Sequence, residues 1–303
     1  MSTAPRSRFL DLRALAALEH MRFSTRRRIE GSYSGFHKSR QQGGAGEFVD
    51  FREYTGGDDL RRLDWKILAR TGKAFLRVHE EETNLLCTLA IDVSGSMRFG
   101  GRDGRSGEGS KLEYVQYLAT ALAYVISRGQ DQVGLAVLDE RLREVFPPGA
   151  TTPHLSRMLE AIESLVTRST QRMAAGLREL FECSRRRGVL LVMSDFLMDD
   201  LEDVFATLRL FRQSGWGVVA LHLVHPGEER LPDGLAYRFE GMEDDGWIWC
   251  SPAEIRATYQ ERFQSHLAMV RQLTLAGGCD YRRVSTATGY LHTLGGFLVE
   301  RAG

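Results

Sequence analysis

From residue 84 onward the chain alternates short apolar runs with longer segments of helical periodicity. "LLCTLAI" (85–91) is a continuous apolar run, the pattern of a strand covered on both faces. "KLEYVQYLATALAYVISRG" (111–129) spaces its apolar residues as a helix does and ends in glycine, a common stop. "QVGLAVLD" reads as a strand that "LREVFPP" extends as a hairpin. "TPHLSRMLEAIESLV" and "QRMAAGLRELFECSRRR" are helices, the first with threonine before proline at its start. Strand "GVLLVMS", helix "LEDVFATLRLFRQSG" and strand "WGVVALHLV" follow. "YRFEG" and "WIWCS" then flank the turn "MEDDG". A long helix is expected over 252–276, "CDYRRVS" is a final strand, and a helix closes the chain. Such alternation predicts an α/β fold: a doubly wound, mostly parallel sheet with helices on both faces.

The first 83 residues read differently. Residues 8–22 suggest a short helix, followed by the basic cluster "RFSTRRRIE". Over 30–83 glycines, aromatics and charges intermingle, and short strands are expected near 47–54 and 74–80. The division predicted is a small β-containing N-terminal block, residues 1–83, before an α/β domain with a C-terminal extension, 84–303. No internal repeat is visible, and the one low-complexity stretch is "GGRDGRSGEGS".

Composition narrows the classes. The 303 residues are 43% hydrophobic, enough for a sizeable core. Forty basic and forty acidic residues cancel, so there is no long-range attraction to nucleic acid or anionic membrane. No apolar run approaches the ~18 residues of a membrane span, and the N-terminus lacks a secretory apolar centre. Cys87, Cys183, Cys250 and Cys279 lie far apart, three of them in apparent core segments. Buried free thiols and a cytoplasmic location are the expectation.

Candidate chemistry concentrates in "TLAIDVSGSMRFG" (88–100), where an apolar run stops at Asp92 and two serines follow, Ser94 and Ser96. In open α/β sheets ligands bind outside the carboxyl ends of the strands. Asp195, in "GVLLVMSDF", ends another strand. If those strands are neighbours, Asp92, Ser94, Ser96 and Asp195 meet at one rim. Two carboxylates and two hydroxyls, with a threonine hydroxyl, suit a hard cation such as Mg2+ or Mn2+ and leave one position open. Gly95 lets the backbone fold tightly around the ion.

"DVSGS" resembles the D-x-S-x-S of the metal-ion-dependent adhesion site in von Willebrand factor type A domains, and "MSDF" resembles that site's strand-end aspartate. The resemblance implies a threonine ligand from a loop between two helices. Thr170, in "VTRSTQRMAAGL", is the best match, although Ser169 replaces the usual preceding glycine; Thr167 is the alternative. "SGFHKSRQQGGAGEFVDFREYTGGDDLRRLDWKILARTGKAFLRVHEEE" is similar to the signature of the bacterial family called domain of unknown function fifty-eight, which places this block before a von Willebrand type A-like domain. The resemblance covers roughly residues 25–225. Many members carry N-terminal membrane helices; none is seen here, so the chain resembles the soluble branch. The family implies partnership with MoxR-type AAA+ ATPases and no established catalysis.

Blander readings exist for each motif. Asp92, Ser94 and Ser96 could cap a strand–helix turn, Asp195 could cap a helix from 199 onward, and Thr170 could cap the helix after it. "GDDLRRLDW" reads as an internal network of Asp58, Asp59, Arg61, Arg62 and Asp64, or else a docking surface. "GRSGEGSK" fails as a P-loop because Ser110 precedes Lys111. "DVSGS" lacks the flanking glycines of a nucleophile elbow. His222 and His225 fall on opposite faces of a strand. The function expected is a metal-dependent protein-interaction module with no catalytic residues. The alternative is a metal-dependent hydrolase using Asp92 or Asp195, which lacks an obvious general base nearby.

Overall fold

The computed structural model describes residues 7–18, 20–21, 23, 34–39, 47–56, 63–83, 85–101, 109–168, 172–243 and 246–302. In chain order the first elements are α1 (Leu12–Ala16), β1 (Ser34–Ser39), β2 (Glu47–Glu53), α2 (Trp65–Thr71) and β3 (Phe75–Thr83). Then come β4 (Leu86–Asp92), α3 (Lys111–Arg128), β5 (Gln132–Leu138), β6 (Leu142–Gly149), α4 (Thr152–Glu163) and α5 (Ala174–Cys183). The rest is β7 (Val189–Ser194), α6 (Leu201–Gln213), β8 (Gly217–Val224), α7 (Pro226–Glu229), β9 (Tyr237–Glu240), β10 (Trp247–Cys250), α8 (Pro252–Ala276), β11 (Asp280–Ser285) and α9 (Tyr290–Ala302).

The central sheet has six strands in the order β11-β8-β7-β4-β5-β6. Five are parallel, and β6 pairs antiparallel with β5, the expected hairpin. Every residue of β4 and β7 is buried, which is why these strands read as unbroken apolar runs. One face carries α3, α4 and α9, whose Leu122, Leu159 and Leu294 pack with Leu89 and Leu191 of the sheet. The opposite face carries α5, α6 and α8, where Leu177, Phe205 and Val270 meet Ala90 and Val192. Each such Leu, Val or Phe side chain, fully buried, stabilises by about 1.5–3 kcal/mol. The mixed α/β, mostly parallel sheet with helices on both faces therefore agrees with the periodicity.

Local signals explain the helix bounds. Ser110 caps α3 by accepting from Glu113 N–H at 3.1 Å, and α3 stops at Gly129. Thr151 caps α4 with Pro153 in its first turn. Two readings need correction. The helix expected over 8–22 is only the five residues of α1, capped by Asp11, because Ala17 and Leu18 already turn out of it. Of the four free cysteines only Cys87 and Cys279 are buried; Cys183 is exposed at the end of α5 and Cys250 half-buried on β10. Ahead of the sheet, β1, β3 and β2 form an antiparallel three-stranded sheet in that order. Neither β1 nor α2 was expected from periodicity. Within "GDDLRRLDW", residues 57–62 lie outside the described residues; Asp64 caps α2, accepting from Lys66 and Ile67 N–H.

Gly134 of β5 faces its antiparallel neighbour so closely that a β-carbon there would lie 2.5 Å from the Phe146 carbonyl oxygen and 2.9 Å from Pro148 N. Both contacts are backbone and cannot rotate away. Gly134→Ala is expected to destabilise the protein by about 1–3 kcal/mol, read by chemical denaturation.

Candidate metal centre at the β4–β7 crevice

The chain leaves β4 towards α3 on one face and leaves β7 towards α6 on the other. The two strands are adjacent and parallel, with Ile91 opposite Met193. A crevice therefore opens at their carboxyl ends, where strand order reverses. Asp92 is the last residue of β4 and Asp195 follows the last of β7, and both are almost fully buried.

The Asp92 carboxylate accepts from Ser94 N–H at 2.8 Å on Oδ1 and from the Ser194 hydroxyl at 2.5 Å on Oδ2. The hydroxyls of Ser94 and Ser96 share a 3.1 Å hydrogen bond, and Ser96 is among the groups that help to hold Asp195 ionised. Ser194 accepts in turn from Phe196 N–H at 2.8 Å. Phe196 has φ +54°, unfavourable for a bulky residue. It is held by packing against Phe205 and His222, with ring centroids 5.4 and 5.6 Å away. The backbone turn just after Asp195 is thus fixed by core contacts.

Lys111, the first residue of α3, is fully buried and bridges two carboxylates. Its Nζ lies 2.5 Å from Asp195 Oδ2 and contacts Glu228 Oε1 on α7. The other Glu228 oxygen accepts from His225 N–H at 2.8 Å. Burial pulls the lysine pKa down, but the two carboxylates hold it above its ordinary value. Burial pushes Asp195 up, and the adjacent ammonium overrides this and carries it below the usual range. Glu228 stays raised, its burial outweighing its share of Lys111. Asp92 gets no such help. Burial, and then the charge of Asp195, push it up to about 7, against the hydrogen bonds from Ser194 and Ser94.

A fourth carboxylate reaches the rim from the turn between β9 and β10. Glu243 accepts from Gly95 N–H at 3.0 Å and Ser96 N–H at 2.6 Å. Arg98 grips the same turn, donating to the Gly241 carbonyl at 3.1 Å and to Met242 Sδ at 3.2 Å.

Of the residues expected at the site, Asp92, Ser94, Ser96 and Asp195 come together. Thr170 lies outside the described residues. Thr167 is described, and the loop bearing it runs beside the serine turn, with Arg168 N–H donating to the Val93 carbonyl at 2.7 Å. The cap for α6 is Asp200, not Asp195, and its carboxylate turns away to accept from Met173 and Ala174 N–H. His222 and His225 do not converge. His222 is buried, bonded to the Tyr281 hydroxyl and pushed down to about 3 by burial and by neighbouring His266. Among the described residues no three His, Cys, Asp or Glu side chains gather in a group able to hold a metal. Sequence reading missed Lys111, Ser194, Glu228 and Glu243. Ser194 adjoins Asp195 and was within reach of the same argument. The other three come from distant segments and carry no motif.

Fold and crevice define an open α/β protein with an acidic strand-end site. The family described as "Protein of unknown function DUF58" matches residues 50–269, well over half of the chain, which therefore belongs to that family. Similar relatives include "Uncharacterized protein Rv1480" of Mycobacterium tuberculosis and "Uncharacterized protein Mb1516" of Mycobacterium bovis. Each is 26% identical over 231 residues, spanning 74% of this chain and 69% of the relative. Among solved structures, "conserved hypothetical protein BatB" from Bacteroides thetaiotaomicron aligns at TM-score 0.45 and 15% identity, covering 72% of this chain and 99% of that one. An "aerotolerance-related membrane protein" from Bacteroides fragilis aligns at 0.44 and 18%, covering 72% and 100%. Among the described residues no helix is long and apolar enough to cross a membrane.

The raised Asp92 carboxyl makes metal-free stability depend on pH. Between about 4 and about 7 the folded chain holds a proton that the unfolded chain releases, so stability falls as pH rises through that window. Asp92→Asn keeps the shape and removes this loss. In chelator, the variant is expected to melt a few degrees above wild type at pH 8. The gap should close towards pH 4, as thermal melts at both pH values will check.

Proposed function

We propose that this chain is a metal-dependent protein-interaction module of von Willebrand type A-like design. Asp92, Ser94, Ser96 and Asp195, with Thr170 or Thr167, would hold Mg2+ or Mn2+. The carrying observation is the charge balance. Asp195 and Glu228 are buried against a single buried ammonium, Lys111, and Asp92 is buried within reach of the Asp195 charge with no ammonium of its own. Fully ionised, the three acids leave two negative charges uncompensated, which one divalent cation neutralises. The donors are all oxygen and suit a hard ion rather than zinc. When bound, the ion supplies a positive charge that attracts a carboxylate. The chain's own residues do the rest. Asp92 gives up its proton to the solvent, Ser194 and Ser94 N–H keep its oxygens oriented, and Lys111 holds Asp195 ionised.

The occupant proposed for the remaining position is an acidic side chain of a MoxR-type AAA+ ATPase, the partnership implied by the family resemblance. With no net charge to steer association, specificity rests on this local contact. Calorimetric titration should show Mg2+ and Mn2+ binding that weakens as pH falls below about 7. Asp92→Ala should cost about a hundredfold in affinity and Ser96→Ala about tenfold, since the latter removes a neutral donor and spares both carboxylates. Pull-down of the ATPase should fail in chelator and recover with magnesium. Undiminished capture in chelator, or zinc binding with no magnesium response, would sink the reading.

A further inference from the structure

The carboxylate position on the serine turn already has an occupant in the same chain. Glu243 sits with both oxygens on Gly95 and Ser96 N–H, on the backbone of the turn that carries the two hydroxyls of the candidate ligand set. Gly95 is shaped for that contact. A β-carbon at 95 would lie 2.3 Å from the Met242 carbonyl and 2.6 Å from Glu243 Oε2. Its φ is not in the left-handed region, so what demands glycine is the close approach of the hairpin tip.

The hairpin behind that tip is poorly anchored. It consists of two four-residue strands, β9 and β10, paired only with each other in their sheet. A two-stranded ribbon alone is at best marginally stable in water. Trp247, Ile248 and Trp249 alternate across both faces of β10, yet are 55, 62 and 63% exposed. Of the two strands only Phe239 and Cys250 are even half-buried. Among the described residues, Glu243 and Arg98 make polar contacts that tie its tip to the crevice.

We infer that the β9–β10 hairpin is a latch over the cation site, with Glu243 the in-chain carboxylate that an external carboxylate must displace. The inference rests on the cation reading above. It adds that the resting site is closed by its own chain and that lifting one weakly held hairpin opens it. Lifting the tip breaks the Glu243 and Arg98 contacts, none of which involves Asp92, Asp195 or Lys111.

Two variants of the full chain test the latch. Glu243→Gln weakens the catch, and Gly95→Ala displaces the tip and Glu243 with it while keeping the candidate ligands Asp92, Ser94, Ser96 and Asp195. In chelator, hydrogen exchange should quicken by about tenfold in both variants for the amides of 95–96 and of the hairpin, with the sheet unchanged. Exchange at the wild-type rate in both variants would overturn the inference. With Mn2+ as the probe, water-proton relaxation should be stronger in both variants than in wild type, because more water reaches the ion. Added acetate should lower that relaxation in the variants well before it does so in wild type. Equal relaxation and equal acetate sensitivity in all three chains would overturn the latch while leaving the cation reading intact. No Mn2+ binding to any of the three would overturn the cation reading itself, and the competition with it.

Discussion

Everything at the crevice depends on one buried ammonium. Lys111 begins α3 and is inaccessible to water, so its charge has to be matched within reach. It is matched twice, by Asp195 from the end of β7 and by Glu228 from α7. That three-way contact ties together segments from three parts of the chain. It also decides which acid stays ionised. Asp195, beside the ammonium, is held as a carboxylate, whereas Asp92 faces it without a cation of its own and rises towards neutrality. Removing Lys111 would leave two buried charges unpaired, a larger disturbance than losing any hydroxyl at the rim.

The sheet makes this arrangement possible. Because β4 and β7 are neighbours whose exits diverge to opposite faces, their carboxyl ends leave backbone N–H groups and side chains pointing into one crevice. The apolar layers on both faces keep that crevice rigid. Phe196 shows how firmly: its left-handed backbone is tolerated because its ring is locked between Phe205 and His222. Ser194, flanked by that turn, then has a fixed donor and acceptor, and it orients Asp92.

The hairpin contrasts with this rigidity. Its side chains are largely exposed, and its polar hold on the crevice comes through Glu243 and Arg98. On the function proposed above, a preorganised site beside a hairpin cover suits a module that engages a partner reversibly. The rigid part keeps binding geometry ready, and the cover can move at little cost to the core.

Much of this was legible from the chain alone. Continuous apolar runs ending at Asp92 and Ser194 announced buried parallel strands, because a strand covered on both faces has no polar side to show. The spacing of Asp92, Ser94, Ser96 and Asp195 marked the rim, because strand ends are where open sheets place ligands. What only the tertiary structure decided was the charge environment. Lys111 sits in a stretch that resembles a failed phosphate loop, Glu228 in a polar turn and Glu243 in an acidic one; nothing local distinguishes them from solvated surface residues. Their roles come from contacts spanning 84, 117 and 147 positions of sequence. Local sequence sets periodicity and capping, whereas the pairing of buried charges is set by which strand ends and loops the sheet brings within a few ångströms of each other.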